Sequence, residues 1–181
     1  MQAHKFRVVL DHDVDVIREV VLSGDHSLTD LHQIITHSFG FSGTEMAAFY
    51  ESDNDWNKGH EIPLFDMMMD EEDDLSQVNL PSSMDAYTIS YGLNKEVTHY
   101  VYVYDFLNMW CFYVTYVGTV ETEETLPAVV FSFGDAPASS ANENADLSEY
   151  TDVKNGQTED DDEIGEMFND MEEFDENDFS Y

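Results

Sequence analysis

The side chains of this sequence that could do chemistry are carboxylates before anything else. Asp53-Asn54-Asp55-Trp56-Asn57-Lys58-Gly59 sets oxygen ligands at alternating positions, the pattern with which a calcium loop surrounds a hard cation. The count then fails. An EF-hand has glycine at its sixth position and glutamate at its twelfth, and counting from Asp53 gives Lys58 and Leu64. The segment therefore reads as a polar turn between strands. Asp70 to Asp74 is a run of acids behind Met67, Met68 and Met69, and adjacent like charges repel, so a solvated loop is expected there. The histidines are dispersed without an HExxH-like spacing, and His32 and His37 fall on different helix faces. Cys111, the single cysteine, lies between Trp110 and Phe112 in an apolar run, where a thiol is expected to be buried and inert. Neither a metal site nor a cofactor is expected.

Two features remain open to a function. Asp105 stands just before the short connection Leu107-Asn108-Met109. It could serve as a site carboxylate, or it could accept backbone N–H bonds and hold the turn, which needs fewer assumptions. Near the C-terminus, Ile164, Met167, Phe168, Met171 and Phe174 recur at helical spacing among Asp, Glu and Asn. One reading is an acidic amphipathic helix whose bulky anchors enter an apolar groove while its carboxylates meet a basic rim. The other is a solubilising acidic tail with incidental aromatics.

The elements that position these groups follow from periodicity. Phe6, Val8 and Leu10 alternate with Arg7 and Val9, and the alternation resumes as Val14, Val16, Arg18, Val20 and Leu22, predicting an antiparallel hairpin. Ser27 with Asp30 three residues on forms a capping-box start; Leu28, Leu31, Ile34, Ile35 and Phe39 follow at helical spacing, and Gly40 stands where a left-handed cap residue belongs. Met46 to Glu51 reads as a strand and Tyr87 to Leu93 as a short helix or turn. His99 to Phe106 puts Tyr100, Tyr102, Tyr104 and Phe106 on one face of a strand, and Trp110 to Val120 is a second β-branched and aromatic run, so the two predict a central hairpin. In its connection, Asn108 is the residue expected to tolerate a positive φ.

Composition bounds the rest. The 181 residues suit one domain with appendages. Forty acids against six Lys and Arg give a formal charge of −34, a field that repels phosphate and anionic lipid. Direct nucleic-acid binding and a membrane-surface role are both disfavoured, because counterion release needs clustered cations. One cysteine permits no internal disulfide, which fits a reducing, cytoplasmic setting, and no apolar run has the length of a signal peptide or a membrane span. From Asp135 to Tyr181 there are 17 acids and one lysine, and Ala136 to Glu159 carries too little apolar surface to offset backbone ordering, so a disordered linker is expected.

The order of segments then becomes informative: strand hairpin, LTDLHQIITHSFGF, strand, acidic loop, VYVYDFLNMW. It resembles the plasmid pRiA4b ORF-3-like family over roughly residues 5 to 138. The resemblance rests on Leu31-His32, Gly40-Phe41, Tyr104-Asp105-Phe106, Trp110 and Gly134-Asp135-Ala136-Pro137. It implies an α+β domain, an antiparallel sheet with packed helices, of undetermined biochemical function. Where the family has YDFGDxWxH, this chain has Leu107-Asn108 in place of Gly-Asp and Phe112 in place of His. A site that depended on those groups is not expected here. Some relatives carry a resolvase-like label from insertion sequences, but neither a serine nucleophile in a basic setting nor a cationic DNA-binding helix is present to support that activity.

The combined expectation is an α+β domain over 1–135 and a disordered acidic tail over 136–181, with a short amphipathic helix at 163–175. The function expected is that of a cytoplasmic, non-enzymatic interaction protein whose acidic tail or surface engages a basic protein partner. Two alternatives stand beside it: an enzyme or enzyme remnant of mobile-element or nucleic-acid metabolism using His32 and Asp105, and a DNA mimic with carboxylates spaced like phosphates. The family positions Leu31, His32, Tyr104, Asp105, Phe106 and Trp110 are structural or site candidates, and Ile164, Met167, Phe168, Met171 and Phe174 are partner-binding candidates.

Overall fold

The computed structural model describes residues 1–66 and 81–137. The acidic run 70–74, the tail beyond residue 137 and the helix expected at 163–175 lie outside the described residues. Within them the chain forms β1 (Gln2–Leu10), β2 (Ile17–Leu22), α1 (Leu28–Ser38), β3 (Ala47–Ser52), β4 (Lys58–Pro63), α2 (Ile89–Asn94), β5 (His99–Tyr104), β6 (Trp110–Glu121) and β7 (Ala128–Phe133). The strands make one sheet in the order β4-β3-β5-β6-β1-β2-β7, every neighbouring pair antiparallel. Both helices pack on one face of it, so the architecture is α+β.

Helix α1 starts and stops as its sequence dictates. The Ser27 side chain accepts from the Asp30 amide and the Asp30 carboxylate accepts from the Ser27 amide at 2.8 Å, satisfying two donors that the first turn leaves free. At the other end, Gly40 adopts φ 77° and donates to the His37 carbonyl, while Phe41 donates to Thr36 at 2.8 Å. This is the Schellman arrangement, which needs a left-handed residue at the glycine. Leu28, Leu31, Ile34 and Ile35 are thereby set against Phe6, Val8, Val20 and Leu22 of the sheet, all fully buried. Burying four such aliphatic side chains stabilises by roughly 1.5–3 kcal/mol each.

The tyrosine stripe of β5 joins the same core. Tyr102 stacks on Phe49 with centroids 4.5 Å apart and lies 5.4 Å from Phe112, while Tyr100 meets Tyr87 edge-on ahead of α2. Arg18 is the polar exception on this face. It is 7% exposed and donates to the carbonyls of Ser38 (3.0 Å), Ile17 (2.8 Å), Phe133 (2.9 Å) and Gly134 (3.2 Å), with its guanidinium 4.9 Å over Phe39. One planar fork thus ties the C-terminus of α1, β2 and the end of β7 together.

Several expectations need correction. Val14 does not continue a strand: β2 begins at Ile17, and Val14 is 58% exposed in the connecting loop. Phe106 does not extend the tyrosine stripe, because β5 ends at Tyr104 and Phe106 turns outward at 42% exposure. The positive φ in the β5–β6 connection falls on Asp105 and Met109, both 55°, and not on Asn108. Strand β7 was not anticipated, and β4 was implied by the polar turn at 53–59 without being located. KGHEIP lacks β-branched enrichment beyond one isoleucine, and β7 leaves four of its six residues exposed, so neither shows clean alternation.

Candidate functional site

His32 and Asp105, the pair an enzyme would need, are placed in different environments. His32 is 3% exposed, its Nδ1 lies 2.7 Å from the Tyr102 hydroxyl, and its ring packs 6.2 Å from Tyr104. Burial lowers its pKa to about 4, a hydrogen bond with the Gly43 backbone opposing the shift. Asp105 instead sits in the exposed turn. Its carboxylate accepts from the Leu107 amide at 3.1 Å and the Asn108 side-chain amide at 2.6 Å, and the Asn108 bond first among them draws its pKa below the usual range. No hydrogen bond or ion pair joins the two residues. Leu31 is fully buried in α1, and Tyr104 is buried with its hydroxyl 3.1 Å from Ser42 Oγ. Trp110 is half-buried against Phe41, centroids 5.2 Å apart.

The other carboxylate cluster closes on itself as well. Asp53 accepts from the amides of Asp55 (2.9 Å) and Asn57 (3.0 Å) and from the Asn57 side chain (2.8 Å), bonds that hold its carboxyl below the ordinary range. Trp56, at φ 62°, is turned by that loop onto Tyr113 and His99, at 4.7 and 5.2 Å between centroids. The Cys111 thiol is half-buried, and desolvation pushes its pKa up, away from a reactive thiolate. Among the described residues, no three His, Cys, Asp or Glu side chains gather in a way that could hold a metal ion. No described helix is long and apolar enough to cross a membrane.

What the fold does assemble is a rim. Strand directions bring five segments to one end of the sheet: 134–137 after β7, 11–16 between β1 and β2, 105–109 between β5 and β6, 41–46 before β3, and 64–66 after β4. They are tied to one another. Gly134 (φ 73°) lies so close to the Asp15 carbonyl that a Cβ there would clash at 2.2 Å. His12 stacks on Trp110 at 6.5 Å, Asp105 donates its amide to Met46 at 2.9 Å, and Leu64 donates to Ala47 at 2.9 Å.

Large apolar side chains project from this rim: Leu107 at 94% exposure, Phe65 at 61%, Val14 at 58%, Met109 at 57%, Phe133 from the adjoining end of β7 at 54%, and Phe106 at 42%. Around them stand seven carboxylates, one to three on each segment, and no Lys or Arg. Exposed apolar groups gathered in one region mark an interaction surface more often than chance. Sequence reasoning missed the rim because its parts come from five separated loops. The available signal was single bulky residues inside acidic turns, Val14 between Asp13 and Asp15 and Phe65 before Asp66.

Comparison with known proteins agrees with this architecture. A crystal structure of a protein of unknown function from Methanosarcina mazei Go1 superposes with a TM-score of 0.58 at 13% identity, over 75% of this chain and 71% of that one, a likeness of fold alone. No curated protein matches. The family model described as plasmid pRiA4b ORF-3-like protein matches residues 2–181, so the chain belongs to that family.

Proposed function

We propose that this protein is a cytoplasmic, non-enzymatic interaction protein whose acidic surface and tail engage a basic protein partner. The observation that carries the reading is the rim, where exposed apolar anchors stand among carboxylates on five segments that carry no Lys or Arg, Arg18 beneath them being buried. A cationic partner would be steered by the −34 charge and then held by apolar contact, a division in which charge sets on-rate and partner choice and buried anchors set dwell time. The enzyme reading is less well supported, since His32 is engaged in the core and the Asp105 oxygens are occupied by their own turn.

Affinity capture from native lysate tests it, with the full chain, a Leu107→Asp/Met109→Asp double variant and a variant lacking 159–181, each at two salt concentrations. Capture of a basic protein that weakens with salt and falls in either variant is expected. Identical captured proteins from all three baits would end the proposal.

A further inference from the structure

The face of the sheet opposite the helices differs in charge from the rest of the molecule. Of the five Lys and Arg among the described residues, Lys5, Arg7 and Lys58 lie on this face, while Arg18 is buried on the other and Lys95 closes α2. Strand acids on it are Glu19 and Glu61. Glu19 is held by Lys5 at 2.9 Å and Arg7 at 2.7 Å, and Lys58 sits 4.6 Å over Tyr50. Asp11 at its margin accepts from the Tyr113 hydroxyl at 3.4 Å, so three cations meet three acids here, a local balance in a chain of net charge −34. It is also apolar. Val9, Ile17, Tyr113 and Trp56 are only half-buried, Phe131 and Phe133 are 44% and 54% exposed, and among the described residues no helix covers them.

We infer that the occupant of this face is the chain's own segment 159–178, seated through Ile164, Met167, Phe168, Met171 and Phe174 with its carboxylates toward Lys5, Arg7 and Lys58. The charges complement each other, since the segment carries acids throughout and no Lys or Arg. The tether also reaches. Residue 137 follows β7, the strand at one edge of the face. Between it and Ile164 lie 26 residues, and a coil of that length would span roughly 30 Å. Seven strands at ~4.8 Å spacing make a sheet of about the same width. Linkage at millimolar effective concentration lets a weak contact persist, so the same stripe is covered in the free chain and must be released before it can meet anything else. The inference concerns the isolated chain and stands whether or not a basic partner exists.

Zero-length carbodiimide coupling of purified full-length protein, read by mass spectrometry on the monomer band, tests it. Lys5–Glu19 and Lys95–Glu51, at 2.9 and 3.1 Å, serve as internal standards. Lys5 and Lys58 are expected to couple to acids of 159–178 about tenfold more often than Lys95 does, and Phe168→Asp with Met171→Asp is expected to reduce those links about tenfold while both standards persist. Links that favour Lys95, that ignore the double substitution, or that occur in the dimer band alone, where a second copy is the occupant, would overturn it. So would standards that couple with no link from Lys5 or Lys58 to the segment.

Discussion

The Tyr102 hydroxyl and His32 Nδ1 meet at 2.7 Å in the middle of the helix–sheet interface, where Tyr102 is fully buried and His32 is 3% exposed. Burial raises the Tyr102 pKa and so keeps the phenol protonated, and the hydroxyl and the neutral imidazole share one hydrogen bond whose direction follows the ring's tautomer.

Acid titration should therefore register at His32. The unfolded chain takes a proton on this residue near pH 6.5, while the folded ring stays neutral until about 4. Between those values the unfolded state binds more protons, so the contribution is complete above pH 6.5, falls as pH drops, and is lost below about 4. The full shift corresponds to ~3 kcal/mol. Urea midpoints from pH 7.5 to 4.5 should fall more steeply for the parent than for His32→Gln, and parallel curves would refute the assignment.

Arg18→Met should cost about 2–3 kcal/mol, because it leaves the buried Ser38 carbonyl, and the part-buried carbonyls of Phe133 and Gly134, without that donor. Arg18→Lys keeps the charge yet loses the fork, and should still cost about 2 kcal/mol. Hydrogen exchange should speed up first in β7, the strand that this side chain ties to α1.

Gly92→Ala sets two effects against each other. Alanine favours a helix over glycine by about 1 kcal/mol. A Cβ at position 92, however, would sit 2.2 Å from the Tyr100 hydroxyl and 2.9 Å from Tyr87 Cε1. Tyr87 is fixed by donating to Glu51 at 2.7 Å, and Lys95 holds the same carboxylate at 3.1 Å, so the rings cannot withdraw freely. Overpacking should win, with a net loss of about 1–3 kcal/mol in denaturant unfolding.

Leu107→Asp should leave stability within about 0.5 kcal/mol, since the side chain is 94% exposed in a turn held by Asp105. Unchanged unfolding together with reduced partner capture separates a surface role from a folding defect.

How much of this was legible in the sequence varied with the range of the interaction. Helix α1 was readable to its caps because Ser27, Asp30 and Gly40 act within one turn of its ends. The β5–β6 hairpin was readable because Tyr100, Tyr102 and Tyr104 alternate strictly into the core. Strand β7 was not, since its partner β2 is more than a hundred residues away and its outward phenylalanines break the alternation. The turn at Asp105 shows the same limit: type alone favoured Asn108 for a positive φ, whereas the Asp105 carboxylate, by bonding the Leu107 amide and the Asn108 side chain, takes that conformation itself. The rim needed the sheet order before its five loops could be seen as neighbours.

Among the described residues β7 ends the sheet, so its outer backbone N–H and C=O groups offer a template on which another copy could stack. Mutual repulsion between molecules carrying −34 opposes that stacking, and it acts only over a Debye length, about 10 Å at 0.1 M salt and 3 Å at 1 M. Colloidal stability of this protein is therefore an electrostatic property of the whole chain: concentrated salt or a polycation should shorten the lag before fibrillar aggregates form.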